Sequence, residues 1–297
     1  MAKRGDPIDG VMLLDKPLGM SSNAALQTVR RLVNAQKAGH TGTLDPMATG
    51  LLPLCFGNAT KFSADLLHAN KGYVARVRLG EVSSTGDAEG EIIERHPVDV
   101  APQALEAAVS AFLGEIVQIP PMYSALKVNG KCLYQLARQG ETVERAPRTV
   151  TVHEIAASDF DGTSFTLACL VSKGTYIRVL AEDIGRRLGC GAHLTALRRT
   201  RVGDLSIDDA VTVETLESCG SPEQARLHLK GADSLLQTFE AVTLDEMQAA
   251  RFMTGQRLAL GLTMRGRVRV YGPNNMLLGT ARANERGVLE PERLIAH

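Results

Sequence analysis

GHTGTLDPMATGLLPLCFGNATK, residues 39–61, holds four glycines, two prolines and four threonines. Residues of these types favour turns, so we predict that the first half of the stretch is an irregular, tightly turned loop. Asp45 is its only carboxylate. Pro46 follows, which removes a backbone donor and biases Asp45 towards an extended conformation. The apolar run at 51–56 should anchor the loop in a core.

Asp45 has two interpretations. A lone acid that a rigid loop presents on an apolar base can serve as a nucleophile or a general base. Asp-Pro is also a common opening of a turn, in which the carboxylate only caps the backbone. The residues of this stretch, taken alone, favour the capping role.

The stretch follows the pattern GHTGTLDPxATG, then LP, then GxATK. This pattern resembles the catalytic motif of the TruB-type tRNA pseudouridine synthases, which modify uridine 55 in the T-loop of tRNA. The resemblance implies that Asp45 is the essential catalytic residue. It also implies that His40 helps to occupy the space vacated when the target base flips out. The guide-RNA-dependent enzymes of archaea and eukaryotes share the core motif. The complete motif GHTGTLDPMATG and a segment at 122–150 favour the bacterial, stand-alone type.

Two further stretches carry the same resemblance. Residues 118–140 read QIPPMYSALKVNGKCLYQLARQG, which follows the family pattern QxPPxYSAxKxxGxxxYxxAR. Residues 171–203 read VSKGTYIRVLAEDIGRRLGCGAHLTALRRTRVG, in which Val171 replaces the usual cysteine. Residues 16–22, KPLGMSS, form an entry turn that resembles the family pattern KPxGx[ST]S. Asp15 precedes it where the family usually has asparagine. The specific motifs cover about 10–203, and the tail matches more loosely.

Roles in catalysis follow from the resemblance. Arg178 would pair with Asp45. Tyr73 would lie in the active site against the target base, and Leu197 would pack beside the uracil. No metal, nucleotide or redox cofactor is implied.

Contacts with RNA follow in the same way. Lys16 would approach the RNA backbone, and Tyr176, which opens a helix, is a further candidate. The segment 122–150 would clamp the T-arm, and it carries five basic residues against two acids. Phosphate contacts position RNA without reading its sequence. Our candidates for them are Lys127, Lys131, Arg138 and Arg148.

Strands and helices interleave without a regular βαβ period. We therefore predict an α/β (α+β) fold with a central mixed, mostly antiparallel sheet and flanking helices, the pseudouridine synthase fold. A short apolar run predicts a strand at 10–14, and alternating apolar residues predict one at 72–80. Two further strands, at 149–157 and 164–171, are joined by Asp161-Gly162, which signals a hairpin. Apolar residues at helical spacing predict helices at 21–33, 59–68, 102–112 and 176–188.

The last third of the chain has a different character. Residues 202–234 indicate an acidic linker with a short helix at 213–219. After it, a helix that Thr243 caps and three strands resemble the small PUA-like β-rich domain of bacterial family members. We therefore predict a catalytic domain at 1–234, with the clamping insertion at about 122–150, and a C-terminal domain at 235–297.

The charge of the chain is neutral overall but segregated. A strongly basic total would point to nucleic acid, and this total does not. Residues 173–201 carry seven basic residues against two acids, and 251–297 carry eight against three, so each has a net charge of +5. Residues 202–250 carry ten acids against two basic residues, a net charge of −8. A neutral total can therefore hide basic surfaces separated by an acidic one.

Cysteine usage and hydropathy bear on the compartment. The five cysteines are scattered and form no CxxC, which argues against a zinc site and favours reduced thiols in a cytoplasm. No apolar region follows the N-terminal residues as in a secretory signal, and no run approaches the ~20 apolar residues of a membrane span. We expect a cytoplasmic monomer that needs tRNA but no membrane, guide RNA or obligate protein partner.

The implied reaction breaks the N1–C1′ bond of uridine, turns the uracil and joins C5 to C1′. The target base must first flip out of its stack. Asp45 could add covalently at C1′ or at C6 of the uracil, or it could remove the 2′-hydrogen of the ribose to give a glycal. The residues do not separate these routes. Tyr73 would offer a stacking face and a phenol near C5, whose hydrogen must leave.

Other function classes fit the residues less well. The Walker pattern GxxxxGK[ST] is absent, and Asp45 would repel phosphate in a loop between Gly42 and Gly50. The PCxxC of zinc base deaminases is absent as well. A non-catalytic RNA-binding protein or tRNA chaperone would keep the basic segments. It would have no need for Asp45, Tyr73 and Arg178 together.

Overall fold

A computed structural model describes residues 5–124, 126–128 and 130–295. The strands are β1 Gly10–Lys16, β2 Ala38–His40, β3 Ala48–Phe56, β4 Lys71–Leu79, β5 Glu81–Ser83, β6 Ile92–Arg95, β7 Gly114–Gln118, β8 Lys127–Val128, β9 Lys131–Cys132, β10 Arg148–Ser158, β11 Ser164–Val171, β12 Ala192–Val202, β13 Leu205–Ser206, β14 Val211–Thr212, β15 Glu240–Thr243, β16 Leu258–Ala259, β17 Gly266–Tyr271, β18 Leu277–Ala283 and β19 Val288–Leu294. The α-helices are α1 Ser22–Leu32, α2 Ser63–Leu67, α3 Pro102–Ser110, α4 Leu133–Arg138, α5 Ile177–Arg187, α6 Val213–Ser218, α7 Pro222–Arg226 and α8 Glu246–Met253.

The central sheet has the strand order β14-β1-β3-β12-β4-β11-β10-β7, with β2 on β3 and β13 on β12. The β1–β14 and β3–β12 pairs are parallel, and the other pairs are antiparallel. The predicted mixed, mostly antiparallel sheet with flanking helices is therefore confirmed. Among the described helices, none is long and apolar enough to cross a membrane.

Strand β3 carries the apolar run at 51–56 into the core. It is buried along nearly its whole length, as expected of a central strand covered on both faces. Gly50 lies in it with φ +101°, and a Cβ there would lie 2.2 Å from the carbonyl oxygen of Arg199. Only glycine allows β3 and β12 to approach so closely. The loop before β3 is thereby held against β12.

Two helix predictions need correction. The helix expected at 59–68 is two short pieces, a 3-10 helix at Gly57–Lys61 and then α2, with Phe62 fully buried between them. Helix α8 is capped by Asp245 and not by Thr243, which ends β15. The Asp245 carboxylate accepts a hydrogen bond from the Gln248 N–H at 2.8 Å. Aspartate is also a better N-cap residue than threonine, and Thr243 belongs to β15.

The linker interpretation of 202–234 is wrong, although the short helix predicted at 213–219 is confirmed as α6. This stretch forms β13, β14, α6 and α7, and β14 extends the central sheet beside β1. Leu216 and Ala225 are buried in the main core. The acids misled the prediction because they lie on the outer faces of short elements whose apolar residues point inward.

The C-terminal part forms a second, β-rich unit. Its five strands have the order β15-β17-β18-β19-β16, and α8 packs over them. The predicted division at 234/235 stays a proposal. Leu235 and Leu236 pack in one apolar cluster with residues of β1 and β3, and the second sheet begins at Glu240.

Charged contacts join the second sheet to the part of the chain that holds the central sheet. Arg267 on β17 pairs with Asp65 on α2, and its Nε lies 2.8 Å from Glu292. Lys61 donates to the Leu294 carbonyl at 2.8 Å. Asp65 is 9% exposed, so Arg267 is the cation that offsets its burial.

Replacing Arg267 by methionine should therefore destabilise the protein. The change leaves Asp65 nearly buried without its cation, at a cost of about 1–3 kcal/mol in the free energy of unfolding. Urea denaturation followed by circular dichroism measures the loss. Arg286→Met, at an exposed position of the same domain, is the control. Equal urea midpoints for Arg267→Met and wild type would show that the contact stabilises nothing.

Candidate active site

Arg178 lies at the centre of the site. It is in the first turn of α5, and its side chain is only 5% exposed. Its Nη2 lies 2.8 Å from Oδ2 of Asp45, and its Nε lies 3.5 Å from Oδ2 of Asp87. Its Nη1 and Nη2 donate to the carbonyls of Thr85 and Tyr123 at 3.1 and 2.7 Å. The structure thus brings together the pair that the resemblance implies, and it adds Asp87.

Asp45 is the accessible member of this group. Its side chain is 38% exposed, whereas that of Asp87 is 3% exposed. Neighbouring contacts hold the loop around it: the Ser22 hydroxyl bonds both the N–H and the carbonyl of Leu44, at 2.8 and 3.0 Å. The Gly19 N–H donates to the Pro46 carbonyl at 2.8 Å. The carboxylate is therefore fixed in place and open to a ligand.

Lys16 does not reach the surface, which corrects its interpretation as an RNA-backbone contact. It is 0% exposed because the entry turn folds back over it. Its Nζ donates to the carbonyls of Met20 at 2.6 Å, Pro17 at 2.9 Å and Pro46 at 3.5 Å. Burial lowers the pKa of Lys16 to about 8, against the opposing charge of Asp45. Lys16 braces the loop next to Asp45 from beneath.

Tyr73 and Leu197 lie on adjacent strands of the sheet, β4 and β12. Both are nearly buried, at 9% and 8% exposed, in the main apolar cluster. Burial raises the pKa of Tyr73, so its phenol keeps its proton at neutral pH. Leu197 also lines a cleft of roughly 620 Å³, with Met47 and Ala75 among its walls. The cleft lies beside the loop that carries Asp45.

His40 ends the short strand β2 and is half-buried. Its Nδ1 is buried, and among the described residues it has no hydrogen-bond partner. Burial, and then the positive charge of Arg199, lower the pKa of His40. The ring is therefore neutral at pH 7, as suits a side chain that fills space.

The basic segment is a small hairpin, β8–β9, followed by α4. Leu133 and Leu136 of α4 are buried and anchor it. Exposed aromatic rings lie among its cations, and the Arg138 guanidinium lies 5.7 Å from the centre of the Tyr134 ring. Three of the four predicted phosphate contacts are exposed: Lys127, Lys131 and Arg138.

The fourth, Arg148, is half-buried at the base of the segment. Its guanidinium lies 4.8 Å from the centre of the Tyr176 ring. The backbone of Tyr176 is held in turn by the Gln118 side chain, through bonds of 3.0 and 3.2 Å. Arg148 and Tyr176 thus form a stacked pair where the segment meets α5.

The sequence interpretation missed three residues of the site. Asp87 follows glycine in a polar loop, where a second acid could have been noticed. Arg199 is two residues from Leu197 on one strand, and this spacing places both side chains on the same face. Ser22 gave no signal beyond helix capping, which Ser21 performs. The described residues contain no cluster of histidine, cysteine, aspartate or glutamate that could hold a metal ion.

Comparison with known proteins gives one consistent family. Residues 30–177 match the TruB family pseudouridylate synthase N-terminal domain. Residues 178–237 match the tRNA pseudouridylate synthase B C-terminal domain, and 241–295 match the pseudouridine synthase II TruB C-terminal domain.

Similar proteins agree with these matches. The chain is 55% identical to a tRNA pseudouridine synthase B of Burkholderia mallei, over 99% of both chains. It is 56% identical to one of Ralstonia nicotianae, over 97% of this chain and 94% of the relative. Among solved structures, a Cbf5–Nop10–Gar1 complex contains a chain with a TM-score of 0.74 and 26% identity, covering 96% of this chain and 84% of that one.

The buried Lys16 gives a pH-dependent contribution to stability. In the unfolded chain its pKa returns to the ordinary 10.5, against about 8 in the folded protein. Between these values the unfolded chain binds more protons, so stability from this group rises with pH. The difference in the free energy of unfolding between wild type and Lys16→Met should therefore grow in favour of wild type across this interval.

Urea denaturation below and within the interval measures the difference, with Lys37→Met as a control at an exposed lysine. A difference that stays constant with pH would mean that folding does not change the protonation of Lys16.

Proposed function

The chain belongs to the TruB family of pseudouridylate synthases, and from that membership we propose that it isomerises uridine 55 in the T-loop of tRNA with Asp45 as the catalytic carboxylate. It is an isomerase that acts on tRNA and converts uridine to pseudouridine. One observation carries the proposal for Asp45. Its carboxylate is solvent-accessible and is held 2.8 Å from the buried guanidinium of Arg178.

The reaction requires a base that has left its stack. The flipped nucleotide would enter the cleft beside Leu197, and the neutral ring of His40 would help to fill the gap it leaves in the RNA. Leu197 lines that cleft, and Tyr73 on the neighbouring strand would supply an aromatic face for the uracil.

Asp45 would then act in its ionised form. It could add to C1′ of the ribose or C6 of the uracil, or remove the 2′-hydrogen to give a glycal that the free uracil attacks at C1′. All these routes break N1–C1′ and form C5–C1′. The guanidinium of Arg178 lies 2.8 Å from the carboxylate that each of these routes uses. Tyr73 would lie near C5, whose proton leaves in the last step.

The basic segment 122–150 would hold the T-arm. Lys127, Lys131 and Arg138 are exposed, and the tyrosine rings beside them offer stacking faces for unpaired bases. Arg148, stacked on Tyr176, would join this surface to the active site.

The chain would act alone on tRNA. The solved relative comes from a complex with Nop10 and Gar1, at 26% identity, whereas the bacterial relatives at 55% identity match over the full chain. We therefore propose a cytoplasmic monomer that needs no guide RNA, protein partner or cofactor. Purified protein and an unmodified tRNA transcript should suffice for activity.

Asp45→Asn should abolish pseudouridine formation and spare tRNA binding. Asparagine keeps the shape of the side chain but cannot act as a nucleophile or a base at neutral pH. Formation of the C5–C1′ bond expels the hydrogen at C5, so tritium at that position appears in water. The assay compares tritium release and filter binding of one transcript.

Asp204→Asn, at an exposed acid, is the control for the charge change. A non-catalytic tRNA chaperone would release no tritium in any variant. Release by Asp45→Asn at the wild-type rate would return Asp45 to the role of a turn residue.

Binding of a T-arm stem-loop should depend on salt through the basic segment. Each phosphate contact releases counterions, so Lys131→Gln and Arg138→Gln should each lower the slope of log Kd against log salt by about 1. Arg95→Gln, at a 73% exposed arginine outside the segment, should leave the slope unchanged. Equal slopes for wild type, Lys131→Gln and Arg138→Gln would exclude the segment as the clamp.

A further inference from the structure

Arg199 on β12 is buried, at 1% exposed, and its nitrogens donate to the backbone of the Asp45 loop and of β3, which follows that loop. Its Nε donates to the Leu51 carbonyl at 2.8 Å. Its Nη2 donates to the Gly42 carbonyl at 3.1 Å, and its Nη1 to the Thr43 carbonyl at 3.5 Å. One side chain therefore holds the backbone on both sides of Asp45.

The charge of Arg199 is compensated by dipoles alone. Within the part of the chain that the structure describes, no aspartate or glutamate forms an ion pair with it, whereas the adjacent Arg198 has Asp15 at 2.7 Å. A buried cation without an acid is costly, and carbonyl oxygens offset only part of that cost. An apolar residue would fill the core at a lower cost, so the guanidinium serves something besides packing.

Tyr73 lies directly opposite Arg199 in the β4–β12 pairing. Burial raises the pKa of Tyr73, and the positive charge of Arg199 beside it opposes that rise. Arg199 thus lies next to Tyr73 while its nitrogens hold the backbone around Asp45.

We infer that Arg199 is a positioning residue that holds the Asp45 loop and the Tyr73 phenol in a fixed mutual arrangement for the isomerisation. The inference rests on the proposed function, because it concerns the same reaction. Lysine cannot replace the planar fork, since one ammonium cannot reach three carbonyls that lie in different directions. Arg199 itself need not touch the substrate.

Arg199→Gln and Arg199→Lys test the inference, with the exposed Arg187→Gln as the matched control. Single-turnover assays should show the isomerisation slowed about 100-fold in Arg199→Gln, the loss expected when reacting groups are misplaced. Arg199→Lys should be partly impaired. The Kd for tRNA should stay close to that of wild type, so the loss falls on kcat and not on KM.

A second measurement reports the charge without any need for activity. Arg199 contributes to the lowered pKa of His40, so Arg199→Gln should raise that pKa, while Arg199→Lys should leave it near the wild-type value. NMR titration of the histidine rings, with His40→Asn for assignment, measures it. The other ionisable groups on elements packed against β2 are retained in all variants: Arg30 and Arg31 on α1, Cys55 on β3, and Lys61.

The outcomes separate the two claims. An inactive wild type would count against the proposed function. An active wild type with Arg199→Gln and Arg199→Lys equally active would overturn the positioning role. If Arg199→Gln unfolds, as its urea curve would reveal, Arg199→Lys decides: a slowed reaction with normal tRNA binding and an unchanged His40 pKa supports the inference, and a wild-type rate overturns it.

Discussion

A guanidinium buried between two carboxylates is the interaction on which the active site depends. Arg178 contacts Asp45 on one side and Asp87 on the other, and two backbone carbonyls take up its remaining donors. Asp87 is nearly inaccessible, so Asp45 is the carboxylate that a ligand can reach. The buried acid holds the arginine, and the arginine holds the accessible acid.

The loop that carries Asp45 is held from several directions. Lys16 supports the Pro46 carbonyl from below, and Ser22 bonds Leu44. Arg199 takes the carbonyls of residues 42, 43 and 51 from the neighbouring strand. These side chains come from β1, α1 and β12, so the loop depends on the packing of the whole central sheet. The close approach of β3 to β12 at Gly50 makes that packing possible.

The residue types and the motifs are sufficient to predict the fold class and the Asp45–Arg178 pair. They failed where burial decides the role of a charged residue. The motif suggests a surface cation at Lys16, but the entry turn closes over it. The acids of 202–234 suggested a linker, although the apolar residues between them pack in the core. Asp87 and Arg199 act through contacts across the fold, at sequence distances that a local pattern does not encode.

In the proposed reaction the target base is isomerised at Asp45 while Arg178 holds that carboxylate. A crystal structure of the protein with a T-arm stem-loop carrying 5-fluorouridine at the target position tests it directly, because fluorine at C5 cannot leave as the hydrogen does. We predict a flipped nucleotide between Tyr73 and Leu197, with the Asp45 carboxylate against its ribose or ring and the pair with Arg178 intact. A base bound in another cleft, or a carboxylate out of reach of the nucleotide, would contradict the account.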